Sequence, residues 1–525
     1  MNTGGGRTTS RLLIAAAMLL MIGATATAAG SVSSDSAGRT STAVSVGDIE
    51  NVLRDQLDAS GVPGGAFVVV SGGQVEARGV GSAGDSREVT SRTPFVIGST
   101  TKSFTALAVM QLVDSGDVDL DAPVRDYVPE FRLAEGEPIG DITVRHLVQQ
   151  TSGLSDLAGG PILASSADGT ALEAISELEG AELETRPGET WLYANANYVL
   201  AGLVVERASG LSYPDYVQSR IFDPLGMADS HVTVDNADGL SQGHRFWFGF
   251  PIATGPTHRT GVVAAGYLIS TAEDLGRYLS MYLAGGISAD GVRIVSAEAI
   301  RTMLTAGPDA HLGSWAGGAA AHYGMGWFVG GPWSEDGFFH PGNSPDSSAM
   351  IALFPDRDLA VATLVNASHE SPVPGNPSIT DRVSRNVIHA ALGQPVPDLP
   401  SLWRFYLVFD LIVLVLIVPA GWGLVRALMA THRRSPQVRR ARRWTGVVVR
   451  TLATVVLAVV PVLSIGWRGA WTWAPDLALV ATALIVLLAM TAALRLLALV
   501  LPDRKPASAN LTTTERKPAH VLTGD

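Results

Sequence analysis

The apolar residues of this 525-residue chain are gathered at its two ends, and that placement restricts the fold more than any other feature. Near the N-terminus an apolar run over 12–22 is preceded by Arg7 and Arg11 and followed by Gly23-Ala24-Thr25-Ala26-Thr27-Ala28-Ala29. That is the charge, apolar core and small-residue order of a secretory signal at 1–29, either cleaved or kept as a signal anchor. After residue 400 come three stretches, 403–425, 446–465 and 477–501, each long enough to cross a bilayer as a helix. The chain between must fold in water, so the sequence reads as a soluble body joined to a membrane part.

The charges around the apolar stretches orient them. Six arginines (Arg433, Arg434, Arg439, Arg440, Arg442 and Arg443) crowd the first connection, whereas 468–476 is short, neutral and rich in tryptophan. Positive loops stay in the cytoplasm, which puts the arginine loop and the tail 502–525 inside and the soluble body outside, at the plasma membrane. The signal sequence sends the body to the same side. Arg426, Arg450 and Arg495 fall near the cytoplasmic ends, where long side chains reach back to the interface. Asp410 lies within the first stretch, either pairing with another helix or sitting near the outer interface. The three helices read as an anchor or, alternatively, as a sensing or transporting element.

Residues 30–401 carry 20 Lys and Arg against 44 Asp and Glu, a net charge of −24. A surface this acidic repels nucleic acid and anionic polymers. Cysteine is absent, which excludes disulfides and a lipoprotein anchor and leaves core packing to stabilise the exported body.

A flexible Ser/Thr/Gly-rich segment covers 30–46. Within 47–392 the spacing of Ile49, Val52, Leu53 and Leu57 predicts an amphipathic helix ending at Gly61. Strands follow at 66–70 and 75–81, separated by the turn Ser71-Gly72-Gly73-Gln74. From 93 to about 312 the composition predicts mainly helices and long loops. Strand-like runs return at 326–329, 337–340, 348–354 and 359–365, and a helix over 379–392 precedes a Pro-rich linker at 393–401. Strands at both ends of a helical insertion predict an α+β fold, an antiparallel sheet shared by the two ends with the insertion as a second lobe, and a site in the cleft between lobes. Membrane helices at 402–501 complete the chain.

Within 30–401, nineteen of the twenty fixed positive charges are arginine, and Lys102 is the exception. A buried lysine can lose its proton where arginine cannot. In Ser99-Thr100-Thr101-Lys102 the two functional side chains fall one helical turn apart on one face. If a helix begins at Ser99, its N-terminus adds partial positive charge beside the hydroxyl. The same spacing also suits a capping serine followed by a solvated lysine. Two further segments stand out: Tyr193-Ala194-Asn195, in a loop leading into the apolar run 199–205, and His340-Pro341-Gly342, at a strand end.

In this order, Ser-x-x-Lys, Tyr-x-Asn and His-x-Gly, the chain resembles the serine β-lactamase and penicillin-binding-protein superfamily, in particular its class C-like branch of D,D-carboxypeptidases, D-amino-acid amidases and peptidases, and esterases. The resemblance covers roughly 47–392 and extends to the segments 142–154 and 264–275. It implies a β-lactamase/transpeptidase-like fold and a serine hydrolase that forms an acyl-enzyme. Ser99 is then the nucleophile, with the Lys102 amine and the Tyr193 phenolate as alternative or coupled bases. The resemblance assigns the backbone N–H groups of Ser99 and Asn343 as an oxyanion hole. Asn195 would bind a substrate amide, His340 would contact a substrate carboxylate or assist protonation, and Gly342 would let substrate approach the strand edge. No metal or other cofactor is implied, since no His and acidic residues show a zinc-site spacing. The third motif has histidine where many β-lactamases have lysine. Asp346 stands where relatives usually have glycine, and Gln150 replaces a common histidine. The expected partners are a small peptide, amide or ester and the lipid bilayer. The alternative function is a ligand sensor, acylated at Ser99, that signals through its helices.

Overall fold

A computed structural model describes residues 45–500, apart from 85, 156–168, 256, 308–321, 370–377, 433–447 and 457–465. The signal sequence, the flexible segment up to residue 44, the arginine-rich loop and the C-terminal tail lie outside the described residues.

The helix Val46–Ser60 is capped by the Ser45 side chain and ends at Gly61, whose φ of 72° is the left-handed closure that glycine supplies. The next two strands, Gly64–Ser71 and Gln74–Gly84, pair from Gly64↔Gly81 to Ser71↔Gln74. Gly72 and Gly73 both have positive φ between them, the geometry of a two-residue hairpin whose twist matches the strands. The first strand also pairs with Leu359–Val365. The chain ends therefore share one antiparallel sheet of eight strands in the order Arg87–Glu88, Gln74–Gly84, Gly64–Ser71, Leu359–Val365, Ser348–Phe354, Phe338–Asn343, Phe328–Val329 and His322–Tyr323.

The central strands are buried on both faces, and their alternation divides two cores. Ala66, Val68, Val70, Ile351 and Leu353 enter the larger one with the helices of the inserted lobe. Phe67, Val69, Met350, Ala352 and Phe354 enter the smaller one with Ile49, Leu53 and Leu57 of the first helix and Val383 and Val387 of the last, Ile379–Ala391. Helix, sheet and helical lobe make three layers, as the α+β expectation required.

Two features differ from the sequence expectation. The inserted lobe contains a small sheet in which Ala367–Ser368 pairs in parallel with His244–Trp247, which forms a hairpin with Phe250–Ala253. These strands of four residues lack polar–apolar alternation, so their periodicity does not mark them. The C-terminal part shows two helices long and apolar enough to cross a membrane, over Leu402–Met429 and Pro475–Leu497, where three were expected. Of the middle stretch only 448–456 is described, as helix. The tryptophan-rich connection is itself largely a short helix, Gly466–Trp473. Asp410 is exposed, and Arg426, Arg450 and Arg495 lie near one another.

Leu53 is fully buried in the smaller core. Leu53→Ala should lower the unfolding free energy by about 2–5 kcal/mol through lost burial and a cavity, read as a lower urea midpoint with an unchanged m-value.

Candidate active site

Ser99 sits in a single 3-10 turn, Gly98–Thr100, that runs into the helix Thr101–Ser115. Every residue from Thr101 to Met110 in that helix is buried, so it runs through the protein rather than along its surface. Its hydroxyls are satisfied internally: Ser103 donates to the Thr100 carbonyl, Thr105 to the Ala264 carbonyl, and Thr101 accepts from the Leu268 N–H. Ser99, at the exposed end, is part-buried.

Lys102 is fully buried. Its Nζ lies 2.9 Å from Ser99 Oγ, 2.7 Å from Asn195 Oδ1 and 2.6 Å from the Ala265 carbonyl oxygen. An isolated ammonium in such a place would carry a large desolvation cost, which three acceptors offset. Two of them fix the amine, and the third direction points at the serine. The Tyr193 ring centroid is 4.8 Å from the same nitrogen, and the Tyr193 hydroxyl lies 2.8 Å from Ser99 Oγ. Serine, amine and phenol, far apart in sequence, thus share one oxygen as their meeting point.

Tyr193 and Asn195 reach the site because Asn195 opens the buried helix Asn195–Ser209. Their approach is fixed by Gln150, a fully buried residue with a φ of 60°. The Gln150 side-chain oxygen accepts from the Ala194 N–H (3.0 Å) and from Asn197 Nδ2 (2.7 Å), while its carbonyl accepts from the Leu192 N–H. The residue that departs from the superfamily pattern therefore supports the loop that carries the phenol. The Ala265 carbonyl was not foreseen as a partner of Lys102. It lies within the segment 264–275, but a main-chain carbonyl leaves no side-chain signature.

The strand Phe338–Asn343 closes the other side. Gly98, with φ +52°, is packed so tightly that a Cβ there would fall 2.4 Å from the Asn343 nitrogen, and a Cβ on Gly342 would fall 2.0 Å from the Ile97 carbonyl oxygen. Here the structure corrects the reading of Gly342. The backbone admitted so closely is the chain's own 97–100 turn, and the glycine sets the distance between the serine and the strand. The Asn343 side chain donates to Asp381 (3.4 Å).

His340 also differs from expectation. Its side chain is fully buried, with Nδ1 2.7 Å from the Pro341 carbonyl and Nε2 3.2 Å from the Tyr323 hydroxyl. Burial, helped by the Lys102 charge, pushes its pKa down to about 3. A neutral ring donating to Pro341 accepts from Tyr323 and buttresses the strand, and it offers no cation for a substrate carboxylate. Asp346 is buried too. It accepts from Thr254, Thr257 and Ser344, tying the loop after Asn343 to the inserted lobe, and burial raises its pKa. Among the described residues no group of three or more His, Cys, Asp or Glu could hold a metal ion.

A part-buried serine held between a buried amine and a phenol, at the junction of an antiparallel sheet and a helical lobe, defines the class of active-site serine hydrolases built on this fold. The family model described as Beta-lactamase matches residues 49–383, and the chain belongs to that family. Protein flp of Staphylococcus aureus (strain NCTC 8325) is 23% identical over 452 residues, covering 83% of this chain and 87% of its own length. Among solved structures, the octameric penicillin-binding protein homologue from Pyrococcus abyssi superposes with a TM-score of 0.56 at 28% identity, covering 68% of this chain and 80% of that one. A D-stereospecific amidohydrolase from Streptomyces sp. gives 0.50 at 25% identity, covering 60% and 94%.

His340, at about 3, and His369, pushed by burial to about 4, both titrate below their ordinary 6.5. The unfolded chain therefore binds protons that the folded chain refuses between those values, and stability falls as pH drops below 6.5, by about 1.4 kcal/mol per pH unit for each histidine. Urea midpoints measured from pH 7 to pH 5 should decline, and His340→Gln should make that decline shallower.

Proposed function

We propose that this protein is a membrane-anchored, extracytoplasmic serine hydrolase that acts through a Ser99 acyl-enzyme on a peptide, amide or ester. One observation carries the reading: Ser99 Oγ lies 2.9 Å from the Lys102 amine and 2.8 Å from the Tyr193 phenol at once. Ser99 Oγ bonds to the substrate carbonyl carbon while its proton passes to the coupled Lys102–Tyr193 pair. The Ser99 and Asn343 N–H groups receive the developing oxyanion. Collapse breaks the bond to the amine or alcohol, which leaves with the proton from the pair. Water then attacks the acyl ester, gives its own proton to the pair, and Ser99 regains one as the acid departs. Asn195, bonded to Lys102, orients the amine and binds the substrate amide beside it.

Relatives named for penicillin binding and for D-stereospecific amide hydrolysis support D,D-peptidase or D-aminopeptidase chemistry, with esterase chemistry as a close variant of the same site. Two apolar helices after the linker support the anchor. The match to protein flp also supports it: coverage of 83% of the chain exceeds what residues 49–383 and everything before them supply, so it runs on into the C-terminal part.

Fluorophosphonate and fluorescent penicillin probes should label the full-length protein, and Ser99→Ala should abolish labelling and lower turnover by about 10⁴-fold or more. Lys102→Met should cost about 10²–10⁴-fold in kcat with little change in KM. D-Ala-D-Ala peptides and short p-nitrophenyl esters separate the peptidase from the esterase. A protein that neither labels nor hydrolyses any of them is not a serine hydrolase.

A further inference from the structure

The hairpin missing from the sequence expectation has no part in the site, and its surface is unusual for a water-soluble lobe. Residues 246–253 read Phe-Trp-Phe-Gly-Phe-Pro-Ile-Ala, eight in a row without a charge. Phe250 is 69% exposed and Ile252 48% exposed, both on the edge strand of the small sheet. An exposed apolar edge invites pairing with another chain, yet Pro251 removes one donor from it. A surface that attracts apolar groups while blunting strand addition suits a lipid better than a peptide.

The turn shows where that surface lies. Phe248 and Gly249 have φ of 50° and 86°, and a bulky residue in the left-handed region is an outlier that its surroundings must hold. The surroundings belong to the membrane helices. The Phe248 ring is 6.0 Å from Phe409, Gly249 lies against the Tyr406 ring, the Trp247 ring is 6.5 Å from Trp471, and the Phe248 N–H faces the Asp476 carboxylate. Tyr406 and Phe409 lie four and seven residues into the helix Leu402–His432, about 6 and 10 Å along its axis. Segments that lie in a bilayer interface sink by about 5–10 Å. Trp403 and Trp471, 66% and 37% exposed, sit at the same level, as interfacial tryptophans do.

We propose that the hairpin His244–Ala253 is a further, non-spanning membrane contact, which lays Phe250 and Ile252 into the headgroup–acyl boundary of the outer leaflet beside the two helices. The proposal rests on reading those helices as membrane spans. Thr254 and Thr257, just beyond the hairpin, hold Asp346 in the loop after Asn343. The contact therefore fixes the height of the oxyanion strand above the lipid and favours acyl donors held near the membrane surface.

The chain has no cysteine, so single cysteines can carry spin labels in an otherwise native protein. Full-length Phe250→Cys, Ile252→Cys, Val415→Cys and Val292→Cys are reconstituted in phosphatidylethanolamine–phosphatidylglycerol vesicles, and collisions with oxygen are compared with those of a water-soluble nickel chelate. All four side chains are exposed, and labelling of Ser99 by fluorophosphonate checks that each variant is folded. The expected result is an oxygen-to-nickel ratio at Phe250→Cys and Ile252→Cys several-fold above that of Val292→Cys, in the inserted lobe, and approaching that of Val415→Cys, in the first membrane helix. A water-like hairpin with Val415→Cys in lipid overturns the contact and leaves the spans standing. A water-like Val415→Cys removes the spans and the proposal with them. Shielding of the hairpin label from both reagents, with dipolar broadening between labels, assigns the patch to a second copy and overturns the lipid contact.

Discussion

The arrangement depends on a buried amine. Lys102 lies inside a helix that touches no solvent, and it is tolerated there because Asn195, the Ala265 carbonyl and Ser99 surround its nitrogen. Each acceptor comes from a different part of the chain: the helix itself, the start of Asn195–Ser209, and the segment before Ile269. Satisfying the amine thus requires the inserted lobe to close on the serine helix, and the desolvation cost of leaving it unsatisfied penalises any looser packing. The interaction that poises the chemistry also joins the two sides of the cleft.

A second constraint is steric and has no charge in it. Gly98 and Gly342 let the turn of the nucleophile and the strand Phe338–Asn343 meet backbone to backbone. Behind that strand, His340 and Tyr323 make a neutral polar contact in an apolar surround. The position that many relatives fill with a lysine is here a structural acceptor, so this site holds a single ammonium where a lysine strand would bring two. The difference bears on which substrates are attracted, and it leaves the apparatus around Ser99 untouched.

Much of this was legible in the sequence, for identifiable reasons. The first helix and its closing glycine, the Gly72-Gly73 hairpin and the strands 348–354 and 359–365 announce themselves because local preference and burial agree there. Ser99, Lys102, Tyr193 and Asn195 could be picked out because reactive residue types stand at meaningful spacings. What escaped depends on tertiary context. The Ala265 carbonyl has no side-chain signal. The role of Gln150 appears only once its oxygen is seen beneath the Ala194 N–H. His340 reads as a ligand until its burial is known. The hairpin at His244–Ala253 is too short and too uniformly apolar to display a strand period, and it keeps its shape through contacts with helices more than 150 residues later.

The sheet that joins the two ends of the domain has a consequence in time. Ser71 pairs with Leu359 and Gly65 with Val365, so the partner of an early strand is nearly three hundred residues away. At ordinary rates of synthesis, about 5–20 residues per second, the first hairpin emerges about 15 s to a minute before its neighbour exists. Until then one long apolar margin stands open, vulnerable to association with other nascent chains. The closing strands and the final helix Ile379–Ala391 arrive only a few residues before Leu402 begins the first membrane helix. Completion of the fold and attachment to the bilayer therefore fall in one short interval, and a chain interrupted before it would be left both unfinished and untethered.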